Sequence, residues 1–171
     1  MSGAAQPGAQ QGAAIASVNT ALTAAFTVAT LAAAVLFDQP WKAVSVVVDL
    51  MCFGLGVIAF LWGYWNAVQR SRTESIGVAQ LYFLLGDIVP RTVRVRMNLL
   101  LAVQVTVGIA GAVVRGSTDG RPGSTLAFGI LVPMLGLGLN GLLGAFHGTF
   151  PPRQGPGAPG VSPAGDANGQ Y

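Results

Sequence analysis

From Leu126 to Phe146 the chain reads LAFGILVPMLGLGLNGLLGAF, 21 residues with no charge and a high share of glycine. As a helix it reaches about 30 Å, the thickness of a bilayer's hydrocarbon core, so it reads first as a membrane span. The whole chain agrees. Its 171 residues are 52% hydrophobic and 9% charged, with a mean hydropathy of +0.60, too little charge to cover a soluble domain of this size. The net charge of +3 is too small for a nucleic-acid binder. A lone Cys52 excludes an internal disulfide, and a lone His147 excludes a metal site built from His and Cys ligands. No cofactor is expected.

Residues 1–16 are small and polar without Lys or Arg, and predict a disordered tail. A first span is expected over about 18–37, stopped at Asp38-Gln39-Pro40, and a second over about 43–65. So short a connection makes the two antiparallel. Trp41 at one end of the second span, with Trp62, Tyr64 and Trp65 at the other, fits an interfacial aromatic belt. A third span is expected over about 97–114 and the fourth over 126–146. Residues 148–171 are Pro/Gly-rich and predict a second disordered tail; Pro156 and Pro159 form a PxxP spacing of the kind chance produces in such text.

The loop between spans two and three carries Arg70, Arg72, Arg91, Arg94 and Arg96. The positive-inside rule makes it cytoplasmic together with both termini: six Lys/Arg inside, counting Arg153, against Lys42, Arg115 and Arg121 outside. A multi-pass protein of the plasma membrane follows, with those arginines placed for anionic lipid headgroups or a partner. Ser71 and Glu74 have capping-box spacing, which predicts a short helix over about 72–86. Its apolar part, Ile76 to Leu85, is half a span long, so it lies at the interface, re-enters, or docks on a partner.

Helices in lipid associate through small and weakly polar residues, and each span carries such a stripe. The stripes are Thr20, Thr23, Thr27, Thr30 and Ala34; Asp49, Cys52, Gly56, Ala59 and Gly63; Gln104, Gly108, Gly111 and Arg115; and Gly129, Pro133, Gly136, Asn140 and Gly144. The fold expected is an all-α membrane protein, a four-helix transmembrane bundle with a short interfacial helix. Asp49, the one acid inside a span, must face protein; its expected partner is Thr30 or the Gly129 carbonyl freed by Pro133. Gln104 and Asn140 share a level nearer the cytoplasm. Asp49 also fits a proton or cation relay, but no second acid, Lys or His shares its depth, which favours a structural role.

Gly136, Gly138 and Gly141 spell GxGxxG, yet a dinucleotide loop needs a strand before it and a βαβ unit around it. Inside a span the glycines read as helix packing, with no dinucleotide. His147, at a helix end, reads as an interfacial or capping residue, and Cys52 as a small packing residue.

Residues 126–153, LAFGILVPMLGLGLNGLLGAFHGTFPPR, with Arg72-Thr-Glu-Ser-Ile76 and Leu81-Tyr-Phe83, resemble a family of small four-span membrane proteins of mycobacteria and related actinobacteria. The resemblance covers about residues 20–153. At least one protein that the chain resembles accompanies the mammalian-cell-entry (Mce) lipid importers as a lipid uptake coordinator, so the resemblance implies an accessory subunit beside their permease. It brings no catalytic residues. The function expected is thus a non-enzymatic subunit of a lipid-transport complex; the alternative is a small proton- or ion-coupled transporter or channel-forming oligomer using Asp49.

Overall fold

A computed structural model describes residues 7–118, 121–122 and 124–153. It contains α1 (Pro7–Leu36), α2 (Trp41–Arg70), α3 (Val78–Phe83), α4 (Arg91–Val114), a 3-10 segment (Thr125–Leu131) and α5 (Pro133–His147). Ser117–Thr118 and Arg121–Pro122 pair as a short antiparallel ribbon. Four stretches are long and apolar enough to cross a membrane: Gly12–Leu36, Trp41–Arg70, Arg91–Val114 and Thr125–His147. The chain is an all-α, multi-pass, four-helix bundle.

The fourth span is the centre of that bundle. Within its most apolar window 56% of residues are buried, against 33% or less in the others. The reason lies in its composition. A helix whose surface is mostly Gly, Ala and Leu can be approached closely from several sides, and α1, α2, α3 and α4 all contact α5.

Several boundaries differ from the sequence expectation. The tail expected over 1–16 is already helical from Pro7. Alanine is the best helix former, and Ile15 and Ala16 pack on the core, so the first span gains two turns. The third span begins at Arg91 rather than near Met97, because nothing after Pro90 breaks a helix; Arg91, Arg94 and Arg96 therefore stand on the first turns of α4, not in a loop. The second tail, expected from residue 148, is tied down as far as Arg153. The Ser75 N–H donates to Pro151 O at 2.9 Å, and the Arg153 N–H to Thr73 O at 2.9 Å. Residues 1–6 and 154–171, with the PxxP spacing, lie outside the described residues.

The short helix is also displaced. Ser71 does not start it; Ser71 ends α2, and Glu74 pairs with Arg70 at 2.7 Å instead of closing a capping box. Helix α3 starts after Gly77, whose N–H donates to Gln80 Oε1 at 3.0 Å. It then runs inward. The Tyr82 ring stacks on Phe60, 4.4 Å between centroids at 13°. Phe60 lies ten positions before Arg70 on α2, about 15 Å along the axis, so residues 76–89 form a hairpin that folds back into the bundle, here called the re-entrant hairpin for its direction along α2. At its tip Leu84 is fully buried with φ 52°, and the chain reverses there in a left-handed conformation unusual for leucine.

Backbone that ends inside a bundle must find hydrogen bonds there. It does: Asn140 Nδ2 donates to Tyr82 O at 3.0 Å, Asn98 Nδ2 to Phe83 O at 2.8 Å, and Arg94 to Gly86 O.

Glycine permits the tightest helix contacts. A Cβ on Gly56 would stand 2.5 Å from the Leu135 backbone nitrogen, and one on Gly138 would overlap the Gly56 carbonyl oxygen, so α2 and α5 touch backbone to backbone. Gly108 meets the Gly129 carbonyl in the same way, 2.5 Å from its would-be Cβ.

Candidate functional site

The bundle carries three kinds of polar feature: ties between helices, a buried acid without a partner, and a groove at the arginine-bearing end. The first tie is built on Gln104 of α4. The break between the 3-10 segment and α5 leaves the Gly136 N–H outside the helical ladder, and it donates to Gln104 Oε1 at 3.0 Å. Gln104 Nε2 donates to Thr23 Oγ1 at 2.7 Å and to Asn19 Oδ1 at 3.1 Å. One side chain thus joins α1, α4 and α5. The second tie is Asn140, bonded to the hairpin tip and to Asn98 Oδ1 at 3.1 Å. Gln104 and Asn140, expected to share a level, belong to two separate networks.

Asp49 and Thr30 are both buried, as expected, but the bond expected between them is not made. Asp49 Oδ1 and Oδ2 and Thr30 Oγ1 have no hydrogen-bond partner. The Gly129 carbonyl, the other expected acceptor, receives the Val132 N–H at 3.1 Å inside the 3-10 segment. The physical reason is the 3-10 winding itself. It uses i→i+3 bonds, so the Gly129 carbonyl is taken by Val132 and is not the one that Pro133 leaves without a donor.

Of the expected packing residues, Gly56, Gly108, Gly136, Asn140 and Gly144 are buried against neighbouring elements, and Pro133, half-buried, opens α5. A Cβ on Gly136 would meet Gln104 Oε1 at 2.6 Å, and one on Gly144 the Leu81 carbonyl at 3.0 Å. The GxGxxG triplet faces three partners. Gly136 lies on α4, Gly138 on α2, and Gly141 under the Tyr82 ring. Cys52 is buried on α2.

The expected arginine cluster divides. Arg70 is structural: it donates to the Ala145 carbonyl at 2.6 Å, the Gly148 carbonyl at 3.0 Å and Glu74 at 2.7 Å, over the Phe150 ring. It caps the C-terminus of α5, the role expected of His147. Arg115 does the same for α1, holding the Ala34 carbonyl at 3.0 and 3.1 Å. Arg94 turns back to the hairpin, 3.6 Å from Asp87. Arg72 and Arg91 are exposed. Arg96 reaches across to α1, donating to Thr20 Oγ1 at 2.9 Å, and so borders a cavity of about 500 Å³ between α1, α4 and α5.

That cavity has apolar walls from Ala16, Val89, Val93 and Leu143, and polar edges at Thr92, Arg96 and His147. A second, of about 420 Å³, lies between α2 and the re-entrant hairpin beside Phe60, Tyr64 and Tyr82. Both are open on one side, and neither is lined by Asp49.

Asn19 and Asn98, and the inward stacking of the Tyr82 ring, are not singled out by the sequence. Both asparagines lie near the first residues expected for their spans, over about 18–37 and 97–114. Their polarity within apolar text was the available signal. No family model, curated protein or solved structure matches the chain.

Proposed function

We propose that this chain is a non-enzymatic subunit of the plasma membrane that packs beside a larger lipid-import permease of the Mce type, its arginine-bearing end and both termini cytoplasmic. The observation that carries the non-enzymatic part is the commitment of its polar interior to assembly. Gln104, Asn140, Asn98 and Arg70 are each engaged in joining helices or capping backbone. The partner rests on the resemblance of residues 72–76, 81–83 and 126–153. Large apolar side chains exposed along α2, including Ile58, Leu61, Trp62 and Trp65, offer a face for lipid or a neighbouring subunit. Affinity purification of the tagged protein from its native membrane, followed by mass spectrometry, tests the reading. Recovery of permease or ATPase subunits supports it, and their absence sinks it.

A second reading is favoured by Asp49, whose buried carboxyl group has no partner: a small proton- or ion-coupled transporter or channel-forming oligomer. Flux in liposomes that is lost in Asp49→Asn supports this reading; flux unchanged in that variant rejects it.

A further inference from the structure

The cavity between α1, α4 and α5 combines three features. Its walls are apolar on three helices. Its volume, about 500 Å³, is in the range of small-molecule sites. Its polar edge presents donors: the Arg96 guanidinium, the Thr92 hydroxyl and His147.

One of these donors is held in place. Arg96 is fixed by one bond to Thr20 Oγ1, which itself donates to Ala16 O at 2.8 Å, leaving other guanidinium N–H groups available. His147 Nδ1 is buried without a partner, and a neutral imidazole protonated at Nε2 can donate from its other nitrogen. Val89 and Pro90 are the last residues before α4, whose N-terminus has no side-chain cap, so the N–H groups of its first turn add positive potential at the same edge. The wall is anchored too: Ile88 O accepts from the Thr149 N–H at 3.0 Å and its hydroxyl at 3.3 Å.

We infer that this groove binds an anionic glycerophospholipid of the surrounding leaflet, one acyl chain between α1, α4 and α5 and the phosphate at Arg96, His147 and the first turn of α4. Charge decides the class. Among the described residues no carboxylate lines the groove, and its formally charged side chain is a cation. Its place among the arginines at one end of the bundle puts it at headgroup level, where a bilayer lipid enters sideways. The site belongs to the isolated chain, so its failure leaves the permease reading untouched, and the reverse also holds.

Native mass spectrometry of the full chain in non-ionic detergent tests this, after incubation with dioleoyl phosphatidylglycerol, dioleoyl phosphatidylcholine or oleate. The phosphatidylglycerol adduct should exceed the phosphatidylcholine adduct about tenfold, the size of a charge-assisted contact. Arg96→Gln should abolish that preference. Ala13→Leu, at an exposed lining position that favours helix, fills the chain-binding part and should lower retention of phosphatidylglycerol while the donors stay in place; it serves alone if Arg96→Gln does not fold. Equal retention of both phospholipids, retention unchanged in both variants, or preference for oleate over phosphatidylglycerol overturns the assignment.

Discussion

Gln104 makes one hydrogen bond as acceptor and two as donor, and Gln104→Leu removes all three while leaving the Gly136 N–H buried and unpaired. The variant should lose about 1–3 kcal/mol in reversible unfolding from mixed micelles, and wild-type stability would show that the tie carries no weight. Asp49 is the opposite case. Because neither oxygen has a partner, Asp49→Leu should raise stability by about 1–3 kcal/mol in the same assay; a loss would mean that the carboxyl group is a structural element after all. The burial of Asp49 was legible in the sequence, since a lone acid within a span has to turn toward protein. Its want of a partner was not, because which side chains meet depends on helix rotation and on the 3-10 winding before Pro133. The partners of Gln104 were equally hidden: depth counting pointed to Asn140, whereas Asn19 and Thr23 reach it from the side.

Helix packing was the most legible level. The stripe Asp49, Cys52, Gly56, Ala59 and Gly63 is buried throughout, because small residues at alternating spacings of three and four leave one side of α2 free of bulk. The stripe on α5 is only part of its contact surface, since glycines on other sides meet α2 and α3 as well. Gly136→Leu and Gly144→Leu should therefore each lower stability by about 1–3 kcal/mol or block folding, and Leu137→Ala, at a half-buried position, should cost less; equal tolerance of all three would contradict these contacts. The hairpin was legible in its length, half a span of apolar residues, but its depth was not. That depth is set by Phe60, Gly141 and Asn140, which are remote in sequence. Arg70→Ala should release the junction between this hairpin and the end of α5. Hydrogen exchange should rise at residues 71–76 and 145–153 while the centres of the spans stay protected, and unchanged exchange would show that the clamp is dispensable.

Across the whole molecule, four spans return the chain to the side on which it started. Reporter fusions at residue 1 and residue 171 should give the same cytoplasmic signal, and a fusion in the loop after Arg115 the opposite one; the reverse pattern would overturn the orientation drawn from the arginines. The number of spans was plain from composition, but the hub was not, since hydropathy measures how apolar a segment is and not how many neighbours it has. That the hub is the fourth span has a consequence for synthesis. The helix on which the others assemble leaves the ribosome after the other three. Until it inserts, Gln104 lacks the Gly136 N–H, the glycine face of α2 lacks its backbone contact, and the re-entrant hairpin has no Asn140 to hold its tip. The nascent protein thus waits in the bilayer with its joints open, and completion of the fourth span locks them together.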